Sequence, residues 1–379
     1  MAETASDQPL LKTPLHHAHV AAGGKMVGFA GYDMPVQYRD GILTEHLWTR
    51  EKAGLFDVSH MGQAFLIGPD HDTTARALEA LIPADILNLP RGKQRYSQLL
   101  NEGGGILDDL MVTRPTDEAE DGALMIIVNA ACKDADYAHI EARLPANVRL
   151  VRAGHRALIA LQGPMAEAAL GAIAPEVAEM DFMTARSLRL NGVSVQISRS
   201  GYTGEDGYEI SASADRMGEI WDALCLDARV KPIGLGARDS LRLEGGLCLY
   251  GHDVDTTTSP VEGGLGWSIQ KRRREEGGFP GAARIQKEFA EGPARKRVGL
   301  LPEGRQPARE GAEIATPDGV IIGKVTSGGF GPSVNAPVAM GLVEAGFSAP
   351  GTALHLIVRG KPLPAIVTAM PFIPNRFKR

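Results

Sequence analysis

Cysteine is scarce: three in 379 residues, Cys132, Cys225 and Cys248, far apart and forming no CxxC pair. An odd, sparse set excludes a disulfide framework and a cysteine-ligated zinc site, and it suits a reducing compartment. No apolar run approaches the roughly 18 residues needed to span a bilayer. The opening MAETASDQPLL is acidic and lacks arginine. It reads as neither a secretory signal nor a mitochondrial presequence, so a cytoplasmic bacterial enzyme without membrane attachment is expected. A basic excess is missing too, with 40 Lys and Arg against 46 Asp and Glu. Nucleic acid is therefore not an expected partner. The chain has no complete GxxxxGK[ST] phosphate loop, no HExxH pair and no GxSxG elbow, and no GxGxxG lies between a strand and a helix. These absences argue against P-loop, zincin, α/β-hydrolase and Rossmann chemistry.

What is present suggests several domains, because 379 residues exceed one ordinary core. The segment DGILTEHLWTREKAG predicts a helix capped by Asp40, with Ile42, Leu43, His46, Leu47 and Ala53 at helical spacing and Gly54 at its end. RYSQLL, ILDDLMV and ALMIIVNA are short strands separated by turn residues, which predicts a meander. A second αβ pattern starts at HRALIALQGP, and Asn191-Gly192 between alternating runs marks a hairpin. MGEIWDALCLDA and ARDSLRLEGG read as helices, the latter stopped by Gly245-Gly246. The charged KRRREEGGFPGAARIQKEFAEGPARKR reads as a solvated linker. From Val298 onward, short apolar runs punctuated by Gly and Pro predict an all-β unit, a small barrel or sandwich.

Three features carry candidate chemistry. GGGILDDLMV places Asp108 and Asp109 in an apolar strand, where alternation sends them to opposite faces and a buried carboxylate is costly without partners. Spacing alone leaves open which of the two has the special environment. GYTGEDGYEI presents Glu205, Asp206 and Glu209 on Gly-rich turns, whose bland reading is solvated loop acids. GLGARDSLRLEGG sets Arg238 and Arg242 four apart on one helix face, a repulsive pair unless a carboxylate or an anionic ligand intervenes. His16, His17 and His19 could hold a metal, although they lie near a terminus without a carboxylate neighbour. His60 reads as a hydrogen-bonded structural histidine.

Taken together, GKMVGFAGYDMPVQY, LFDVSHMG, GGILDDLMV, LQGP, GYTGEDGYEI, GLGARDSLRLEGGLCLYG and MPFIP resemble, in this order, the glycine cleavage system T-protein family. The resemblance runs from about Thr13 to Phe377. It implies an α+β, three-domain cloverleaf around a central folate channel, with two interleaved subdomains over 1–290 and a C-terminal β-barrel over 295–379. It also implies an aminomethyltransferase that uses tetrahydrofolate as co-substrate and the lipoylated H protein as partner, with no metal.

Residue by residue, the resemblance makes Asp109 the essential carboxylate and Glu209 the pterin ligand. A carboxylate suits that second task because it accepts two parallel hydrogen bonds. The same resemblance gives Arg238 a folate contact and puts Met61, Tyr96, Ile127, Asn129, Tyr202 and Trp267 at pocket-lining positions. Tyr96 and Trp267 offer flat surfaces to the ring systems. Phe377 falls where the family commonly has a tyrosine that reaches the site; a phenyl ring can pack there but cannot hydrogen-bond. Folate-dependent demethylases share GYTGE-like motifs, and folate-binding assembly factors carry a cysteine-containing KGCYxGQE-type motif where this chain has RSGYTGEDGYE.

Overall fold

The computed structural model describes residues 9–378 and consists of two sheets, a hairpin and a closed barrel, with helices packed around them. The first sheet orders Ala185–Leu190, Val193–Ser198, Gly207–Ser213, Arg156–Gln162, Ala53–Asp57 and Val230–Pro232. The second orders Gln94–Leu100, Ile106–Thr113, Ala123–Val128, Gly62–Ile67 and Arg149–Arg152. The chain lays Ala53–Asp57 into the first sheet, builds the whole second sheet, and returns at Arg156. The two α+β units are thus interleaved.

The meander is present as the sequence predicts, with Gln98 opposite Asp109 and Met111 opposite both Tyr96 and Ile127. Strand alternation is equally clear. Ile106, Asp108, Leu110 and Val112 are buried, whereas Leu107, Asp109 and Met111 are half-buried. Leu110 and Val112 join Leu66, Leu78, Ile82 and Leu124 in a core under helix His71–Glu79. On the other face, Met125 and Ile127 meet Phe56, Leu158 and Ala160 of the first sheet, with Ala237 and Leu241 of helix Leu235–Glu244. Each such side chain contributes about 1.5–3 kcal/mol relative to exposure. The hairpin turn has Asn191 and Gly192 at φ of 47° and 80°, the left-handed pair that a two-residue turn requires.

The helix predicted from DGILTEHLWTREKAG forms over Gly41–Glu51, but its burial is inverted. Glu45, His46, Thr49 and Arg50 are buried, while Leu43 is 55% exposed. The buried polar face is tolerated because nearly every group finds a partner. Glu45 accepts from the backbone N–H of Tyr38 and Gly234, and Arg50 donates to Glu205 (2.8 Å) and Glu244 (3.1 Å). Asp40 makes no capping bond and pairs with Lys231 instead, and Gly54 lies inside a strand rather than ending the helix.

The expected solvated linker is also corrected. It folds as helices Lys271–Glu276 and Ala282–Glu291. Arg272 bridges Glu79 and Asp85, buried Arg273 donates to the Glu79 carbonyl, and Arg284 and Arg295 converge on Glu262.

The C-terminal unit is a barrel of Arg295–Pro302, Ala336–Glu344, Ile321–Gly331, Glu313–Ala315, Ala353–Val358 and Lys361–Thr368. Leu300, Ile314, Val325, Leu356 and Val367 fill its interior, and closure leaves no free sheet edge. The barrel grips helix Leu235–Glu244. The Glu244 carboxylate accepts from the Ser333 backbone (2.7 Å), and buried Asp253 accepts from Thr326, Ser327 and Arg242.

Candidate active site

Asp109 projects from the half-buried face of its strand toward the space between the sheets. Tyr96 Oη donates to its Oδ2 at 2.8 Å, and Asn129 Nδ2 donates to its Oδ1. Removal from water and the negative charge of neighbouring Asp108 raise the proton affinity of Asp109, moving its pKa up to about 6. A carboxyl so poised exchanges protons near neutral pH, which an ordinary surface aspartate does not.

Asp108 points into the opposite core and is fully buried. It accepts from the Asn129 backbone N–H (2.9 Å) and Nδ2 (2.8 Å), and no basic side chain serves it among the described residues. The Asn129 amide therefore bridges the two adjacent carboxylates, one proton to each.

Tyr202 links this centre to the second cluster. Its ionisation is opposed by burial and by the nearby Asp109 charge, its hydroxyl donates to the Cys248 carbonyl, and the Arg238 guanidinium lies 4.8 Å over its ring. The Arg238 guanidinium makes no hydrogen bond or ion pair among the described residues, and burial lowers its pKa while Tyr202 and Glu209 oppose the shift. Glu209 has one long bond, from Ser200 Oγ at 3.3 Å; burial raises its pKa, while Arg238 and Ser200 hold it down. A buried guanidinium and a buried carboxylate left mostly unpartnered form a pair of sites for a polar ligand.

A small cleft at Glu209 is lined by Gln94, Thr113, Met125 and Ile127 of the second sheet and by Leu158, Gln196, Ser198, Glu209 and Ser211 of the first. Buried Gln94 Oε1 and Gln98 Nε2 have no partner among the described residues. Both residues flank Tyr96 on the same strand face by alternation. They escaped the sequence analysis, although the polar period-two pattern in QRYSQLL is a readable signal.

Met61 packs against the Phe56–Ile127 cluster. Tyr96 and Trp267 stack on each other, with centroids 5.5 Å apart and planes at 19°, and Trp267 leaves 64% of its surface exposed. Phe377 is joined to none of these groups; its ring stacks on Phe182 at 4.4 Å.

The other acids of GYTGEDGYEI are not solvated as expected. Glu205 is buried against Arg50 and Arg376, and Asp206 is held by Arg199. The two arginines of the GLGARDSLRLEGG helix separate in role. Arg242 is absorbed by Asp239 and Asp253, while Arg238 stays available. His60 departs from its expected hydrogen-bonded state. It is buried with Nδ1 unpartnered among the described residues, and desolvation lowers its pKa to about 4. The three N-terminal histidines do not converge. His16 pairs with Asp33 and His19 with Asp57, so two of them acquire carboxylate partners, and no metal-holding group of three occurs among the described residues.

Comparison with known proteins gives the family of the chain. Residues 15–273 match the family model of the GCVT N-terminal domain, and 295–373 match that of the glycine cleavage T-protein C-terminal barrel domain. The mitochondrial aminomethyltransferase of Dictyostelium discoideum is 43% identical, over 99% of this chain and 95% of that one. The Flaveria anomala mitochondrial enzyme is 44% identical, over 98% and 92%. The crystal structure of the glycine cleavage system aminomethyltransferase T from Bartonella henselae superposes with a TM-score of 0.92 at 41% identity, covering 98% of this chain and all of that one. The chain therefore belongs to the glycine cleavage T-protein family of aminomethyltransferases.

Proposed function

We propose that this protein transfers the aminomethyl carbon carried on the lipoyl arm of the H protein to tetrahydrofolate. The products are ammonia, 5,10-methylenetetrahydrofolate and the dihydrolipoyl H protein. Two bonds of the transferred carbon break, to sulfur and to nitrogen, and two form to folate nitrogens. The two folate N–H protons end on the thiol and on ammonia. Tetrahydrofolate supplies the two nitrogens that accept the carbon; moving the protons falls to the protein.

The observation that carries this reading is Asp109, which combines a raised pKa, a fixed orientation from Tyr96 and Asn129, and a place on the half-buried face of its strand. As a carboxylate it orients the reacting nitrogens and stabilises positive charge there, and as a carboxylic acid it returns the proton. The Glu209 carboxylate suits the pterin donor edge, and the Arg238 guanidinium suits an anionic or carbonyl group of the same ligand. The unpartnered Oε1 of Gln94, which lines the cleft at Glu209, supports a polar occupant there. Three free thiols accord with action in a reducing compartment.

The test is to mix the protein with synthetic aminomethyl-dihydrolipoyl H protein and tetrahydrofolate. Ammonia and methylenetetrahydrofolate should appear in equal amounts. Activity on methylated amines alone, with loaded H protein untouched, overturns the reading.

A further inference from the structure

Behind Asp109 lies a third carboxyl that the proposed reaction does not use. Asp136, in the first turn of helix Lys133–Glu141, is 3% exposed and hydrogen-bonds the carboxyl of Asp108. Its Oδ2 finds no hydrogen-bond donor among the described residues. Two carboxyls can share a hydrogen bond only if one of them carries the proton. Asp108 already accepts two N–H bonds from Asn129, which favour its ionised form. Asp136 accepts none from its surroundings, so the proton resides on Asp136.

We propose that protonated Asp136 is a positioning residue for the transfer: it donates to Asp108, keeps that carboxyl charged, and through Asp108 and Asn129 fixes the charge and orientation of Asp109. The proposal rests on the reading of Asp109 as the reacting carboxyl. The relay is a continuous chain of contacts. Asp136 gives its proton to the bond with Asp108, Asp108 binds the Asn129 amide, and the second proton of that amide holds Asp109. Burial and the Asp108 charge push Asp136 up to about 9. The three carboxyls titrate as a coupled set.

The groups that face this set do not compete for its proton across the neutral range. Cys132, on the turn before the helix, and Tyr250, from the loop after Gly245-Gly246, face the Asp108–Asp136 pair, and burial raises both above their ordinary values. Tyr96, Tyr202 and Cys248 face Asp109 and are likewise raised.

Two measurements test the relay on the full-length protein. Infrared spectra at pH 7.5 should show a protonated-carboxyl band that vanishes in Asp136→Asn and persists in Asp109→Asn, with no catalysis involved. The pH profile of transfer from loaded H protein then reports the coupling. Asn keeps an N–H donor for Asp108, so Asp136→Asn should leave the acid limb within about 0.2 units of wild type. Asp136→Ala removes the donor, lets Asp108 take up the proton, and should move the acid limb downward by about half a unit or more. A purely structural role lowers the amplitude in both variants without moving the midpoint. A missing band, or an unmoved acid limb in Asp136→Ala, overturns the proposal. Transfer that survives Asp109→Asn overturns the reading of Asp109 itself, and with it the coupling to transfer, whether or not the band follows Asp136.

Discussion

The raised pKa of Asp109 comes at the expense of the fold. Its pKa rises from an ordinary 3.8 to about 6, so between those values the folded state binds more protons than the unfolded one. Stability must therefore fall as pH rises through that window, and above it the penalty is complete. Asp109→Asn should be more stable than wild type at pH 8, by up to about 3 kcal/mol, and the two should converge below about pH 4. Urea melts at the two pH values check this, and a destabilised Asn variant at pH 8 contradicts it. Glu209→Gln should instead weaken tetrahydrofolate binding by about 1.5–3 kcal/mol, read by calorimetric titration, as one charged hydrogen bond is lost. Binding at wild-type strength removes Glu209 from the site. Alternation alone divided the aspartates between two faces, and the family motifs chose Asp109. Asp136, Gln94 and Gln98 went unread for a physical reason. Their polar atoms acquire meaning only from neighbours across the sheet, and no local pattern marks a buried atom as unpartnered.

At the scale of single elements, helix Gly41–Glu51 shows where periodicity misleads. Its apolar residues suggested an inward Ile42–Leu43 face, yet the inward face is Glu45, His46, Thr49 and Arg50. Tertiary partners override the pattern: His46 bonds Ser240 and Ser333, and Arg50 ties Glu205 to Glu244. Arg50→Ala removes the cation that two buried carboxylates share, leaving Glu205 to Arg376 and Glu244 to His46, and should cost up to about 3–5 kcal/mol. Leu43→Ala, at an exposed position, should change stability by no more than about 0.5 kcal/mol. Thermal melts of the two variants decide between this account and an apolar inner face, which predicts the reverse order. The strands of the meander and the Asn191-Gly192 turn were legible because their determinants are local: alternation in one case, left-handed φ in the other. The charged segment 271–297 was misread because its pairing acids, Glu79, Asp85 and Glu262, lie on other elements.

Across the whole molecule, Glu244 is the junction. It binds Arg50 and His46 on one side and the barrel turn at Ser333 on the other, and these partners hold its pKa down at about 2. A depressed carboxyl stabilises the fold fully above its unfolded value of 4.5 and loses that contribution as pH falls toward 2. Acid titration should cost on the order of 2–3 kcal/mol from this group alone across that interval. Glu244→Gln should flatten the slope of stability against pH there, and an unchanged slope removes Glu244 from the junction. The all-β C-terminal unit was readable from Gly- and Pro-punctuated apolar runs, whereas its grip on helix Leu235–Glu244 depends on contacts about ninety residues apart in the chain. That grip anchors the helix that carries Arg238. The most direct measurement is single-turnover transfer from aminomethyl H protein to tetrahydrofolate by Asp109→Asn and Asp108→Asn. Asp109→Asn should slow transfer about a hundredfold or more while folate affinity stays within about tenfold of wild type. A fully active Asp109→Asn beside a dead Asp108→Asn would contradict the assignment.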